Sequence, residues 1–143
     1  MNPELEFNAE LRSRIARNLA EFEVVRHQRG GLIGAAVAFT LVECSVPADI
    51  ANLPFRDGDR GQAGFILTTR TSQLSSHAGQ RAYPGGRIDT GEKPEQAALR
   101  ELEEEVGLAL DSGHVLGRLD DYPTRSGYLI TPVVVWGGRG VEL

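Results

Sequence analysis

The sequence predicts a single α/β domain built around a mixed β-sheet. The chain has 143 residues, which is enough for one hydrophobic core and too few for two. Short apolar segments of strand character outnumber amphipathic helical segments. The helical segments flank the strands along the chain, as expected when helices cover the faces of a sheet.

The composition is that of an ordinary globular protein, with 41% hydrophobic and 24% charged residues. The net charge of −5 argues against a protein that binds long nucleic acids, since such proteins carry a basic face. A nucleotide substrate remains compatible with this charge, because a bound metal supplies positive charge locally. Cys44 is the only cysteine, which excludes an internal disulfide and favours a structural thiol over a catalytic one.

The first 30 residues predict an N-terminal helical segment. Its apolar stripe consists of Leu11, Ile15, Leu19 and Phe22, which recur at helical spacing. Asn8 suits the N-cap position. We find neither a signal peptide at the start nor an apolar run of membrane-spanning length, so we expect no membrane association and a cytoplasmic location.

Apolar segments after Gly30-Gly31 predict the strands, at residues 35–42, 65–69, 115–119 and 129–136. Turn-forming residues predict a loop over residues 46–61 and a turn over residues 120–127. Residues 71–86 are rich in Ser and Gly and are predicted to be irregular. The chain ends shortly after the last strand, so we expect residues 1–143 to form either a short single domain or one whose C-terminal part is absent.

A second helix is predicted over residues 94–106. Pro94 suits the first helical turn, and Gly107 suits a left-handed residue after the last. At about 100° per residue, Glu101, Glu104 and Glu105 share one face. Leu99, Leu102 and Val106 lie roughly opposite and are predicted to anchor the helix on the sheet, while Glu103 points to solvent.

Three carboxylates on adjacent turns repel one another, and the C-terminal end of a helix disfavours anions. Mg²⁺ or Mn²⁺ would offset this repulsion, because these ions take carboxylate oxygens together with substrate phosphates. Arg100 is placed to orient Glu92 or one of the three glutamates by a charge-assisted hydrogen bond. The alternative for the glutamates alone is an ordinary solvated helix face.

The residues around this helix favour the metal site, because they match a complete family motif. The segment resembles the Nudix box, G-x5-E-x7-R-E-U-x-E-E-x-G-U, in which U is a bulky aliphatic residue. The matching residues are Gly86, Glu92, Arg100, Glu101, Leu102, Glu104, Glu105, Gly107 and Leu108. A chance match at one register is on the order of one in 10⁸.

The resemblance implies the Nudix fold, an α/β/α sandwich with a mixed sheet, and hydrolysis of nucleoside diphosphate derivatives. It also implies that Glu101, Glu104 and Glu105 hold the metal ions, joined by a main-chain carbonyl that we place at Gly85. Glu101 would further assist in deprotonating water, although family members differ in their general base. Arg100 and Glu92 are carried over as orienting groups of the catalytic site.

A second stretch, residues 66–86, is similar to the motif of Nudix enzymes that act on coenzyme A. The matches are Leu67, Thr68, Arg70, Leu74, Gly79, Pro84, Gly85 and Gly86, and residues 122–133 also resemble that subfamily. Ser75 stands where the motif has arginine, and serine cannot contact a phosphate bidentately. This departure bears on which substrate the chain binds.

We predict substrate contacts at Arg70, His77, Gly79 and Tyr83. Three of these have an alternative: a strand-end cap for Arg70, an ordinary loop position for His77, and a role in shaping the turn into the metal site for Tyr83.

The predicted function is cleavage of coenzyme A or its derivatives into 4′-phosphopantetheine and adenosine 3′,5′-bisphosphate, with Mg²⁺ or Mn²⁺. The alternatives are a Nudix enzyme for another nucleotide, such as ADP-ribose or a dinucleoside polyphosphate, and a non-catalytic nucleotide sensor. Nudix proteins often form homodimers, but no feature of the sequence identifies an interface.

Overall fold

A computed structural model describes residues 3–44, 61–69 and 81–138. Within these ranges there are two α-helices, α1 (Ala9–Glu21) and α2 (Pro94–Val106), and short 3₁₀ turns at Pro3–Leu5 and Ser112–His114. The described strands are β1 (Ile33–Glu43), β2 (Ala63–Phe65), β3 (Thr68–Thr69), β4 (Arg81–Ala82), β5 (Gly85–Arg87), β6 (Val115–Arg118), β7 (Tyr122–Pro123) and β8 (Tyr128–Gly138). In these residues, no helix has the length and apolar character needed to cross a bilayer.

The two long strands form the centre of a mixed sheet. β1 and β8 run parallel along their whole length, from Ile33 opposite Tyr128 to Val42 opposite Gly138. Strands β5 and β2 pair antiparallel with successive stretches of β1, along its other edge. Strands β7 and β6 pair antiparallel with successive stretches of β8, along its other edge. The predicted mixed sheet is confirmed.

The side chains of β1 and β8 alternate between two apolar layers. Helix α2 covers one face, where the fully buried residues are Ala36, Ala38, Ala97, Ala98, Leu102, Val133 and Val135. Helix α1 and the segment before it cover part of the other face, with Phe7, Leu11, Leu41, Val134 and Trp136 in that core. Phe7 stacks on Trp136 with ring centroids 4.0 Å apart. The helix–sheet–helix layering is the predicted α/β/α sandwich.

Both helices begin where local sequence signals predict. The Asn8 side chain caps α1 by accepting from the Leu11 N–H at 2.8 Å. Helix α2 has the predicted bounds and ends at Gly107, whose φ of 76° is left-handed. Phe22, predicted in the α1 stripe, instead follows the helix as its C-cap and is 43% exposed.

The strand predicted over residues 65–69 is wrong, because this stretch belongs to two strands. Phe65 ends β2, and the following Ile66 N–H donates to the Thr40 carbonyl of β1 at 3.1 Å. Thr68–Thr69 then pairs with Arg81–Ala82 in a separate two-stranded sheet. The chain changes its pairing partner after Ile66, a tertiary event that a run of strand-forming residues does not reveal.

Other elements have different bounds from those predicted, or lie outside the described residues. The irregular stretch predicted to reach residue 86 contains β4 and the start of β5, and the turn predicted over residues 120–127 contains β7. β1 is longer than predicted, because its first residues pair with the start of β8. The predicted loop over residues 46–61 lies outside the described residues, except for Gly61. Cys44 follows β1 and is half-buried, and its structural role stays a prediction.

Candidate metal and substrate site

The loop before α2 holds Glu92 in a fixed position. The Glu92 N–H donates to the Asp89 carbonyl at 3.0 Å, and the Asp89 N–H donates to Glu92 Oε1 at 3.0 Å. The Lys93 N–H donates to Gln96 Oε1 at 2.8 Å, which satisfies a backbone donor at the start of the helix. These local bonds present the Glu92 carboxylate to the side of α2.

Arg100 joins Glu92 to the helix glutamates. Its Nε donates to Glu92 Oε2 at 2.9 Å, and its Nη2 donates to Glu92 Oε1 at 3.0 Å. The remaining nitrogen, Nη1, donates to Glu101 Oε1 at 3.0 Å and lies 3.4 Å from both oxygens of Glu104. The contacts expected of Arg100 from its place in the sequence are therefore present.

This arrangement stabilises the charged forms of both partners. The Arg100 guanidinium, through its hydrogen bonds, lowers the pKa of the Glu92 carboxyl below its ordinary value. In return, the hydrogen bonds with Glu92 and then Glu101 raise the pKa of Arg100 further above its already high value. Glu92 is thus an anion at neutral pH, and its charge is matched by Arg100.

The face of helix α2 that packs on the sheet is wider than predicted. It includes residues beyond the predicted side formed by Leu99, Leu102 and Val106. Leu102 is fully buried as predicted, but Ala97 and Ala98 are also fully buried, and they lie on the glutamate side, one turn before Glu101 and two turns before Glu105. Their small side chains let the helix backbone come close to β1. The glutamates were predicted to lie roughly opposite the residues that face the sheet. In the structure, the glutamate side of the helix itself borders the edge of the sheet.

Glu101 lies against Gly86 of β5. Its side chain is only 16% exposed, against 58% for Glu104. A Cβ atom built on Gly86 would lie 2.4 Å from Glu101 Oε1, so the carboxylate occupies the space that any other residue at this position of β5 would fill. The Glu101 carboxylate can lie here because Gly86 has no side chain.

Gly85 brings backbone groups to the same place. The Ala38 N–H donates to the Pro84 carbonyl at 2.8 Å, so Pro84 faces β1. Because successive residues of a strand point their N–H and C=O to alternate edges, those of Gly85 point away from β1. Accordingly, the Gly85 N–H donates to Glu105 Oε2 at 3.2 Å. The Gly85 carbonyl, predicted to be a metal ligand, lies on this outer edge of β5, on the side of Glu105.

The donor set fits a hard divalent cation. It combines carboxylates at positions i, i+3 and i+4 of one helix with a carbonyl on a strand edge, and Mg²⁺ and Mn²⁺ prefer such oxygen ligands. In the described part of the chain, no three Asp, Glu, His or Cys side chains converge closely enough to hold a metal ion. Arg100 Nη1 and the Gly85 N–H engage the carboxylates instead. Glu104 and Glu105 are exposed and so have room to rotate toward a cation.

The predicted substrate residues divide into two groups. Arg70, His77 and Gly79, together with Ser75, lie outside the described residues. Tyr83 lies two residues before Gly85 and is 37% exposed. Tyr83 is thus the one predicted substrate contact that lies within the described ranges.

Aromatic residues beside Tyr83 were missed from the sequence. The Phe39 ring centroid is 4.3 Å from that of Tyr83, and the Phe65 centroid is 6.0 Å from it. The spacing of these residues in the sequence does not connect them, since Phe39 lies within a predicted buried strand and Phe65 begins a different predicted strand. Arg87, also missed, lies over the Tyr128 ring at 5.8 Å and donates to its hydroxyl at 3.2 Å.

Comparison with known structures supports the fold. The chain superposes on a MutT/nudix family protein from Enterococcus faecalis with a TM-score of 0.51 and 20% identity, covering 92% of this chain and 48% of that one. An Ap4A hydrolase from Caenorhabditis elegans gives a TM-score of 0.50 and 16% identity, covering 78% of this chain and 73% of that one. At these identities the likeness concerns the fold alone.

Two sequence relatives match about half of the chain. The chain is 47% identical over 76 residues to the Uncharacterized Nudix hydrolase NudL of Escherichia fergusonii, which is 52% of this chain and 40% of that protein. NudL of Yersinia enterocolitica is 42% identical over 76 residues, which is 52% of this chain and 39% of that protein. The match thus spans about two fifths of the length of these relatives.

A model of one protein family matches well over half of the chain. It describes the NUDIX domain and matches residues 47–140, which include the glutamate helix and the strands on either side of it. With the α/β/α sandwich and the arrangement of Arg100, Glu92 and Glu101, this match identifies the chain as a member of the NUDIX domain family.

Proposed function

We propose that the protein is a metal-dependent hydrolase that cleaves the diphosphate linkage of a nucleoside diphosphate derivative. The observation that carries this proposal is the placement of Glu101 and Glu105 beside the outer edge of β5, with Glu101 against Gly86 and the Gly85 N–H 3.2 Å from Glu105 Oε2. Family membership and the Nudix hydrolase relatives support a pyrophosphohydrolase. Carboxylates on one helix face beside a backbone carbonyl are suited to cations that bind a diphosphate.

Each residue of the site has a proposed part. Glu101, Glu104, Glu105 and the Gly85 carbonyl would hold the cations. Bound Mg²⁺ or Mn²⁺ would supply Lewis-acid polarisation of the phosphoryl oxygens and neutralise their charge. Glu101, partly shielded from solvent against Gly86, is the carboxylate best placed to accept a proton from the attacking water. Arg100 and Glu92 orient Glu101 and do not touch the reacting atoms.

For the substrate, we propose coenzyme A or a derivative, with 4′-phosphopantetheine and adenosine 3′,5′-bisphosphate as products. The support is the likeness of residues 66–86 and 122–133 to the coenzyme A subfamily. Arg70, His77, Gly79 and Tyr83 are the proposed substrate contacts. A homodimer and a cytoplasmic location remain predictions.

Ser75 stands where the coenzyme A motif has arginine, and this difference supports a second candidate substrate for the same type of enzyme. Without that guanidinium the chain loses a bidentate phosphate contact. ADP-ribose or a dinucleoside polyphosphate would then be the substrate, cut at the same carboxylates. A nucleotide sensor would differ from both candidates by binding without turnover.

The test is incubation of the chain with coenzyme A, ADP-ribose and a dinucleoside polyphosphate in Mg²⁺ or Mn²⁺, followed by product mass analysis. We expect products cut within the diphosphate, in reactions abolished by EDTA. The two products named above, formed from coenzyme A faster than any from the other compounds, would support the first candidate. Tight nucleotide binding with no product in either metal would favour the sensor and contradict the proposed hydrolase.

A further inference from the structure

A cavity lies beside β6, at the first turn of α2. It has a volume of about 340 Å³ and is lined by Val24 and Arg26 from the segment after α1, by Glu95 of α2 and by the residues of β6. Cavities that hold small molecules have volumes of about 300–1,000 Å³. Glu95 and Glu105 are ten residues apart on α2, about 15 Å along the helix axis, so this cavity is separate from the glutamate site. We call it the β6 cavity.

Hydrogen bonds hold the wall of the β6 cavity that carries Val24 and Arg26. The Val25 N–H donates to Asp120 Oδ1 at 2.8 Å. The Asp121 N–H donates in turn to the Val25 carbonyl at 2.9 Å. The segment after α1 is therefore fixed to the residues that follow β6. Val24 is half-buried in this wall, while Arg26 is exposed.

The β6 cavity carries positive charge in an acidic protein. The chain has a net charge of −5, whereas the lining contains two arginines and one glutamate, which gives a net charge of +1. The glutamate is already paired, because Nε and Nη2 of Arg118 donate to the two carboxylate oxygens of Glu95. Among the described residues, neither Nη1 of Arg118 nor the guanidinium of Arg26 has a hydrogen-bond partner. These donors are available to an anion.

We propose that the β6 cavity binds a small organic phosphate, with the phosphate between Arg26 and Arg118 and an apolar group against Val24 and Val115. A tetrahedral phosphate presents oxygens to arginines on different walls, whereas a planar carboxylate matches the fork of one guanidinium. Val24 and Val115 are half-buried, and covering them removes further apolar surface from water. The site does not depend on the proposed hydrolysis.

The experiment measures the binding of phenyl phosphate, inorganic phosphate and benzoate by two-dimensional ¹⁵N NMR titration. Metal is first removed on a chelating resin, so that the glutamate site repels phosphate, and the ionic strength is kept low and constant. Phenyl phosphate is expected to shift the amide signals of Val24, Gly117 and Arg118 to saturation. It should bind roughly 3- to 10-fold more tightly than inorganic phosphate, because its ring covers apolar surface, and more tightly than benzoate.

Two substitutions should change the affinity for phenyl phosphate in opposite directions. Arg26→Gln removes a cation and is expected to weaken binding roughly 3- to 10-fold. Glu95→Gln removes the negative charge of the lining and releases Arg118, so it should strengthen binding by a similar factor. Arg125→Gln, at an exposed arginine between β7 and β8, is the matched control and should leave the affinity unchanged.

Val24→Ala separates the apolar contact from the charges. It is expected to weaken phenyl phosphate binding roughly 2- to 5-fold and to leave inorganic phosphate binding unchanged. Spectra of the free variants that match wild type away from the substitution show that the fold is kept.

Several outcomes would overturn the inference. These are no saturable binding in wild type, signal shifts confined to residues 101–105, equal effects of Arg26→Gln and Arg125→Gln, or weaker binding in folded Glu95→Gln. Benzoate binding as tight as that of phenyl phosphate would overturn the assignment to a phosphate. Because no metal and no turnover enter the measurement, its result is independent of whether the chain hydrolyses a diphosphate.

Discussion

Arg100 and Glu92 form a two-point ion pair, with Nε 2.9 Å from Oε2 and Nη2 3.0 Å from Oε1. The planar guanidinium is thereby fixed, and its third nitrogen is directed at Glu101 and Glu104. Arg100 Nη2 also donates to the Arg87 carbonyl of β5 at 3.0 Å. This one side chain therefore connects the loop, the helix and the strand that make up the site.

Replacing Arg100 by lysine is expected to destabilise the fold by about 1–2 kcal/mol, because an ammonium cannot make the two-point contact with Glu92. The loss is modest because the Arg100 side chain is 29% exposed, so solvent screens its ion pairs. Urea unfolding in EDTA measures the change. Arg17→Lys, at an exposed position of α1, is the control and should shift the unfolding free energy by less than about 0.5 kcal/mol. Equal effects of the two substitutions would refute a structural role for the pair.

The same pair predicts a pH dependence of stability. The pKa of Glu92 is lowered in the folded protein, chiefly by its hydrogen bonds with Arg100. Its stabilisation is therefore fully present above the ordinary glutamate pKa and is lost as pH falls through the lower folded value. The difference in unfolding free energy between wild type and Glu92→Gln should stay constant from pH 8 to 6 and shrink below about pH 4. A difference that grows toward acid pH would show the opposite shift.

The two exposed glutamates of the site are expected to be essential for turnover. Glu104→Gln and Glu105→Gln should each reduce kcat about 100-fold or more, because each removes a negative oxygen ligand from the proposed cations. The melting temperature in EDTA should change little, since both side chains are exposed. Glu103→Gln, an exposed change on the same helix, should keep wild-type kcat. Wild-type rates in both ligand variants would remove these residues from the mechanism.

Adjacent glycines of β5 should respond differently to alanine. A Cβ at Gly86 meets the far end of the Glu101 side chain at 2.4 Å, whereas a Cβ at Gly85 meets the Ala36 carbonyl oxygen at 2.5 Å. Gly86→Ala should therefore displace a movable carboxylate and reduce activity with little loss of stability. Gly85→Ala should strain the backbone and destabilise the fold by about 1–3 kcal/mol. Thermal unfolding and kcat, measured on both variants, test this; the reverse order of effects would contradict the placement of Glu101.

The bounds of α2 follow from the sequence because Pro94 and Gly107 act locally, through the first turn and the left-handed end of the helix. The approach of Glu101 to Gly86 does not follow from a helical wheel, since it depends on β5 pairing with β1. The same limit applies to Phe39, Phe65 and Tyr83, which meet only because two short strands share one edge of β1. Contacts that depend on strand pairing cannot be predicted from the spacing of residues in the sequence, whereas contacts between residues on one helix can.

Crystals soaked in Mn²⁺ test the central claim most directly, by the anomalous difference density beside α2. The account predicts at least one peak about 2.2 Å from oxygens of Glu101, Glu104 or Glu105, with Arg100 Nη1 withdrawn from Glu104 and its contact with Glu92 kept. Soaked crystals with no peak at this helix, and with Arg100 Nη1 still on Glu101 and Glu104, would contradict it.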